Sequence, residues 1–214
     1  MKALILLILI TISALSCCGQ VFTKNRKFVY KASYYNKELN FSTAERLELL
    51  ITGNSWKHSE KQLEAIWQYH TAKKTRKKLS SLFSIGWHLA DTSGIIENEQ
   101  KYWLHPPRHN QYSLTETAPF PEVRKDLKEG DSYRSLLKIG HGFGQWSGKE
   151  MLFTYRLEQI EQTPEGKIWQ IKASSEIDGK SNLCKFFFSE KSGFISMQYD
   201  FYNGDRLSID LTEF

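Results

Sequence analysis

The residues whose types could do chemistry are most concentrated in the segment His105-Pro106-Pro107-Arg108-His109. Imidazole nitrogens can bind a metal or move a proton, and a guanidinium can hold a carboxylate or a phosphate. Two histidines four residues apart could share a metal on a helix, but the intervening prolines exclude that helix. We therefore expect an extended segment without a metal site. The alternative is a loop in which His105, Arg108 and His109 contact a ligand.

A second candidate is the basic run from Lys73 to Lys78. The chain carries 29 basic and 24 acidic residues, and 28 basic residues remain once Lys2 of the N-terminal segment is excluded. The run holds five of these, so the remainder is balanced at 23 basic against 24 acidic residues. Such a run predicts an exposed, solvated loop, with a patch that binds anionic lipid or another polyanion as the alternative. Its charged members are Lys73, Lys74, Arg76, Lys77 and Lys78.

Signatures of catalysis are weak in this sequence. Gly144-Gln145-Trp146-Ser147-Gly148 misses the Gly-x-Ser-x-Gly nucleophile elbow by one position. Six histidines and 24 acidic residues could be combined into many hypothetical catalytic triads, but no sequence motif favours any one of them. We expect no cofactor. A hydrolase that acts outside the cytoplasm on envelope sugars or lipids is kept as the alternative to a binding protein.

The N-terminus predicts export and lipidation. Lys2 is followed by 13 apolar or small residues, Ala3 to Leu15, which is too short for a membrane span and typical of a signal peptide. Ser16-Cys17-Cys18 resembles a bacterial lipobox, in which the acylated Cys becomes the mature N-terminus. The small Ser16 favours Cys17 as the lipidated residue, and Cys18 is the alternative. Ordinary signal cleavage without a lipid and an uncleaved N-terminal anchor are the other interpretations.

These assignments predict the segments of the chain and the cellular location of the protein. We expect a signal peptide at 1–16, a tether at 17–26 and one domain at 27–214, with a candidate internal boundary near 115–130. The mature protein would lie outside the cytoplasm, anchored by its lipid to the outer membrane and facing the periplasm. A nucleic-acid partner is not expected there. Cys184 is then the one cysteine far from the N-terminus, and we predict that it is buried and unreactive.

The elements that must position these residues are strands. With 40% hydrophobic and 14% aromatic residues, the chain can form a core. Apolar residues alternate with polar ones over short runs that end at Gly, Asn, Asp or Pro, which predicts an all-β, mainly antiparallel fold. We expect a single curved sheet or an open barrel. The run Leu63 to Tyr69 also fits a helix, but its aromatic residues favour a strand.

The last hairpin allows a prediction of register. A two-residue loop, Asn203-Gly204, would place Phe201 opposite Arg206 and bring the two apolar faces into conflict. A three-residue loop instead places Tyr199 opposite Leu207. Because a shift of one residue turns every side chain to the other face, we predict the longer loop, with Gly204 in a left-handed conformation.

Several segments of the chain together resemble a group of Gram-negative envelope lipoproteins with a β-rich domain of unknown function. These segments are Ser16-Cys17-Cys18, Trp103 to Arg108, Pro119-Phe120-Pro121, Leu127 to Tyr133 and Phe188 to Ile195. The resemblance implies a β-rich lipoprotein and carries no assigned catalytic residues. We therefore expect a non-enzymatic envelope lipoprotein. It would bind an apolar small molecule on a concave aromatic sheet, or scaffold an envelope partner.

Overall fold

The computed structural model describes residues 20–80, 86–140, 146–177 and 179–214. The predicted signal peptide, Cys17 and Cys18 lie outside the described residues. The first six strands are β1 (Lys27–Asn36), β2 (Phe41–Trp56), β3 (Ser59–His70), β4 (Ala90–Glu97), β5 (Lys101–Leu104) and β6 (Glu122–Arg124). The other six are β7 (Ser132–Lys138), β8 (Glu150–Thr163), β9 (Gly166–Ile177), β10 (Lys180–Ser189), β11 (Gly193–Asp200) and β12 (Arg206–Glu213). The helix α1 (Lys73–Leu79) follows β3, and a 3₁₀ helix (Asn110–Thr117) follows β5.

The strands form one antiparallel sheet in the order β6-β5-β4-β3-β2-β1-β12-β11-β10-β9-β8-β7. The chain begins in the middle of the sheet, runs outward to β6, continues at the opposite edge with β7, and returns until β12 pairs with β1. The two edge strands of the sheet, β6 and β7, lie close together. The Arg124 guanidinium of β6 is 4.1 Å from the centre of the Tyr133 ring of β7. This curled half-barrel confirms the predicted all-β fold.

Alternation along the strands gives the sheet its buried, concave face. In β8, Met151, Phe153, Tyr155 and Leu157 are buried, while the residues between them are exposed. The run Leu63 to Tyr69 lies within β3, so the choice of a strand over a helix is confirmed. Cys184 is buried as predicted, and burial raises the pKa of its thiol well above the ordinary value.

The concave face is covered by the chain's own residues 105–121, here named the crossing segment. The Trp67 indole Nε1 of β3 donates to the His105 carbonyl at 3.0 Å, and the Tyr155 hydroxyl of β8 donates to the Phe120 carbonyl at 3.0 Å. The Asn182 side chain of β10 donates to the Thr117 carbonyl at 2.7 Å. The crossing segment therefore contacts both halves of the sheet.

The register of the last hairpin is confirmed. Tyr199 lies opposite Leu207 and Met197 opposite Ile209. The Phe201 carbonyl accepts a hydrogen bond from the Gly204 N–H at 2.8 Å, and Gly204 has a φ of +87°. The loop thus contains three residues and a left-handed glycine, as the match of apolar faces required.

Substitution of Gly204 by Val is expected to lower the free energy of unfolding by about 1–2 kcal/mol, because a branched side chain is strained at positive φ. The new Cβ would also meet the flexible Lys37 side chain, whose Cδ lies 2.5 Å away. Urea denaturation measures the change. Gly86→Val is the matched control, since Gly86 has an ordinary φ and open space around it. Equal stability of the two variants would contradict the strain argument.

Candidate functional site

The histidine segment lies inside the protein. The His105 ring is buried, with Nδ1 2.9 Å from the Pro106 carbonyl oxygen and Nε2 3.1 Å from Glu116 Oε1. Its ring centre also lies 4.6 Å from that of Phe120. Glu116 belongs to the 3₁₀ helix and is itself buried. His105 is therefore held by internal partners on both ring nitrogens.

Arg108 and His109 converge on Asp91 of β4. Arg108 Nε donates to Asp91 Oδ2 at 2.7 Å, and His109 Nε2 lies 3.3 Å from Asp91 Oδ1. Burial alone would raise the pKa of the Asp91 carboxyl, but the hydrogen bonds from His109 and Arg108 outweigh it and hold the pKa at about 2. Asp91 is therefore an ionised partner that fixes the crossing segment to the sheet.

The rings of His88 and His109 are stacked, with centres 3.8 Å apart and planes inclined by 10°. Asn110 holds the backbone of His88, because its Oδ1 accepts from the His88 N–H at 3.0 Å and its Nδ2 donates to the His88 carbonyl at 2.9 Å. Burial, and then the nearby His109, lower the pKa of His88. The lowered pKa favours the neutral form of the His88 imidazole.

We call Asp91, His88, His105, Arg108, His109 and Glu116 the polar cluster. A histidine beside a carboxylate is two-thirds of a hydrolytic triad, but the contacts of the His109 ring are with the Asp91 carboxylate and the His88 ring, and neither of these is a hydroxyl or thiol nucleophile. In the described part of the chain, no group of three His, Cys, Asp or Glu side chains could hold a metal ion. The arrangement pairs charges internally, and a ligand contact by His105, Arg108 or His109 stays a prediction.

Another buried carboxylate, that of Glu45 in β2, was not predicted from the sequence. Its Oε2 accepts hydrogen bonds from Thr71 Oγ1 at 2.8 Å, from Tyr112 at 3.2 Å and from Gln111. Burial raises the pKa of Glu45, and these three donors partly offset the increase. Alternation could have found this residue, because Leu47 and Leu49 face inward and Glu45 continues their row.

The basic run is a helix, so the predicted loop was wrong. Lys73–Leu79 forms α1, whose Leu79 is fully buried and whose Thr75 and Arg76 are half-buried. Lysine, arginine and leucine favour helices, and basic residues in the last turn interact well with the helix dipole. Packing of Leu79 supplies the stability that seven residues lack on their own.

The helix places four lysines on one side, here named the lysine face. With 3.6 residues per turn, these side chains span an arc of about 140° opposite Leu79, and all four are exposed. They are Lys73, Lys74, Lys77 and Lys78. Lys78 Nζ lies 3.7 Å from the centre of the Phe41 ring. The ion pairs among the described residues do not include Lys73, Lys74 or Lys77.

The lysine face and the start of the described chain lie at opposite ends of the sheet. The N–H groups of Val21 and Phe22 donate to the carboxylate of Glu97, the last residue of β4, at 3.0 and 2.8 Å. The helix α1 lies at the other end, where the Tyr69 N–H donates to the carbonyl of Leu89 at 2.9 Å, just before β4. The eight residues of β4 separate these ends by about 25 Å.

Within the described ranges, no helix has the length and apolar character needed to cross a membrane.

No protein-family model and no curated protein matches the sequence. Three solved structures are similar in backbone. A candidate exported protein with a YmcC-like fold from Bacteroides fragilis is 8% identical, with a TM-score of 0.43 over 90% of this chain and 98% of that one. A candidate lipoprotein from Parabacteroides distasonis is 10% identical, with a TM-score of 0.39 over 91% and 98%. A LolA superfamily protein from Nitrosomonas europaea is 10% identical, with a TM-score of 0.33 over 90% and 87%. At these TM-scores the similarities carry no argument about function.

Proposed function

We propose that this protein is a non-enzymatic envelope lipoprotein that is tethered by a lipid at Cys17 or Cys18. At its far end it holds a polyanionic partner on the lysine face. The observation that carries the proposal is the lysine face itself, which groups four exposed ammonium groups on one side of a seven-residue helix. Like charges so close together repel one another unless an anion is near. A bound polyanion would relieve this repulsion.

The position of the tether favours a partner other than the anchoring membrane. Val21 and Phe22 are buried, although they lie in the segment expected to be a tether. A lipid on Cys17 would then be joined to Val21 by at most about 14 Å of extended chain. The lysine face lies about 25 Å beyond Val21, which exceeds the Debye length of about 8 Å at physiological salt. The anionic partner is therefore expected on the side away from the anchor.

The crossing segment also weighs against storage of an apolar ligand on the concave face. Tyr112 and Phe120 of this segment are buried against the sheet, where such a ligand would otherwise lie. Trp67, Tyr155 and Asn182 hold the segment in place by hydrogen bonds. A partner that contacts the outer surface fits this arrangement better than one carried inside.

The test uses the full lipidated protein inserted into neutral phosphatidylcholine vesicles. Phosphatidylglycerol vesicles, labelled with a dye and added separately, serve as the anionic probe. We expect the protein to capture them in 0.1 M salt and to release them in 1 M salt, because the Debye length shrinks from about 10 to about 3 Å. Capture should fall at least tenfold when the four lysines of the lysine face are changed to Gln, with little change in thermal stability.

The matched control changes four exposed lysines elsewhere to Gln, so that the net charge falls equally. They are Lys31, Lys57, Lys61 and Lys180. This control should capture the vesicles almost as well as the wild type. The proposal fails if the wild-type protein ignores phosphatidylglycerol vesicles at 0.1 M salt, or if the two Gln variants behave alike. In either case α1 is only a solvated helix.

A further inference from the structure

Among the described strands, β7 pairs only with β8, because it is the last strand in the order of the sheet. Beside its two ends, the Asp131 carbonyl accepts from the Leu157 N–H at 2.9 Å, and the Ile139 N–H donates to the Lys149 carbonyl at 2.9 Å. Hydrogen-bonded pairs alternate along an antiparallel ladder, so the odd-numbered residues of β7 bond to β8. The even-numbered residues direct their N–H and C=O groups to the open side, and they are Ser132, Arg134, Leu136 and Lys138.

The opposite edge of the sheet does not cover this open side. The strand β6 has only three residues, and it meets β7 near its start, where Arg124 lies against Tyr133. In the part of the chain that the structure describes, no strand pairing joins β6 to β7. Beyond Tyr133, Arg134 and Lys138 are exposed, and Leu136 is 59% exposed. The backbone of this stretch is therefore accessible to an additional strand.

An apolar pair lies on the convex side of this edge. Leu136 is opposite Leu152 of β8, which is 49% exposed. Single exposed leucines are ordinary on protein surfaces. Here, however, the two leucines are cross-strand neighbours beside an open backbone edge. Strand addition uses this combination, because the backbone supplies hydrogen bonds and the side chains of alternate residues supply specificity.

Arg134 is the cation of this edge that lacks an opposite charge in the register. It lies in the same row as Leu136, two residues before it, and its partner on β8 is the uncharged Thr154. The ion pairs among the described residues do not include Arg134. An incoming strand would therefore meet this guanidinium beside the apolar pair. An acidic residue suits that position, since opposite charges on neighbouring strands attract.

The other charged side chains on this part of the convex face have acidic or basic neighbours of their own. Lys138 lies opposite Glu150 in the register, so that the acid offsets its charge. Asp131 precedes the strand and belongs to the odd-numbered row, which faces the other side of the sheet. Two further ion pairs lie on β6 and β8, and they are Arg124 with Glu122 and Arg156 with Glu158.

We propose that β7 accepts an extended segment of a partner protein as an additional antiparallel strand. The segment carries an apolar residue opposite Leu136 and an acidic residue two positions later, opposite Arg134. A second copy of this chain fits less well. The pairing that stacks the two Leu136 side chains would place Arg134 opposite Lys138 of the second copy, and like charges that lie directly opposite each other are destabilising.

The test uses the full protein and a dye-labelled peptide, Thr-Thr-Val-Leu-Thr-Glu-Ser, whose binding is followed by fluorescence anisotropy. In the antiparallel pairing, its Leu lies opposite Leu136 and its Glu opposite Arg134. The matched probe has Lys in place of Glu. We expect the Glu peptide to bind about tenfold more tightly, because the exchange turns an attractive cross-strand pair into a repulsive one. Absence of binding by the Glu peptide at about 1 mM would overturn the proposal.

Two N-methylated forms of the Glu peptide test whether the backbone of β7 makes the contact. Methyl groups on the Leu and Glu nitrogens remove the N–H donors that face β7, which should weaken binding about tenfold or more. Methyl groups on the Val nitrogen and on the nitrogen of the Thr between Leu and Glu point away from β7 and should change binding little. Equal binding by the two methylated peptides would contradict strand addition.

A charge reversal in the protein localises the site. Arg134→Glu should reverse the preference, so that the Lys peptide becomes the tighter ligand. Lys31→Glu is the matched control, because Lys31 is exposed on the central strand β1, and this variant should still prefer the Glu peptide. If Arg134→Glu also kept the wild-type preference, the site would be refuted. Vesicle capture by the lysine face should survive Arg134→Glu, so failure of one proposal does not imply failure of the other.

Discussion

The substitution Asp91→Asn is expected to lower the free energy of unfolding by about 2 kcal/mol at pH 7. The hydrogen bonds from His109 and Arg108 outweigh burial and hold the pKa of Asp91 at about 2, below its ordinary value of 3.8. Each unit of such a shift corresponds to about 1.4 kcal/mol of preference for the ionised form in the folded state. Asn cannot supply this charge, and Arg108 loses its main partner. Urea denaturation at pH 7 measures the loss.

The pH dependence provides a second measurement on the same variant. Because the pKa of Asp91 is lower in the folded than in the unfolded protein, its contribution to stability is complete above about pH 4 and disappears as the pH falls towards 2. Wild-type protein should therefore lose more stability than Asp91→Asn over this interval. Asp126→Asn is the control, since Asp126 is exposed, and its effect should stay within about 0.5 kcal/mol. If Asp91→Asn resembled this control, the polar cluster would not fix the crossing segment.

Much of the fold was predictable because a sheet with one buried face repeats every two residues. The alternation in Met151 to Leu157 identifies both the strand β8 and its inward face. In the last hairpin, only one loop length brings Tyr199 and Leu207 onto the same face, and the structure has that register. These features depend on neighbours that are close in sequence. Local pattern is therefore sufficient to derive them.

The helix α1 was not predictable in the same way. Its seven residues make two turns, and Leu79 is the only fully buried position among them. A single apolar residue cannot show the 3.6-residue period of a helix. The high density of charge therefore predicted an exposed loop instead. Helical geometry nevertheless changes its meaning, since it collects four lysines on one side. A loop would have left them scattered.

Only part of the polar cluster was predictable from the sequence. The segment His105 to His109 was singled out, but its partner Asp91 is 17 residues away from Arg108 and was not. The pair forms because the crossing segment returns over β4, and this path depends on contacts as distant as Thr117 with Asn182. No local pattern encodes such a path. The same argument explains why Glu45 and Gln111, which are 66 residues apart, were not matched.

Loss of both cysteines at the N-terminus should abolish fatty-acid labelling and move the protein from the membrane to the soluble fraction. Ser16 immediately before Cys17 favours that residue as the acylated one, so Cys17→Ser alone should remove the label and Cys18→Ser should retain it. The opposite pattern would assign the lipid to Cys18. Normal labelling of the double variant would refute lipidation.

The variant with four Gln residues on the lysine face tests whether the charges of α1 help to attach the protein to the membrane that holds the lipid. Because the lysine face lies about 25 Å beyond Val21, it should contribute little to attachment at the anchoring membrane. The variant should therefore keep its label and stay in the membrane fraction when the cysteines are intact. If it left the membrane together with the cysteine variants, α1 would contact the same membrane as the lipid, and the proposed orientation would be wrong.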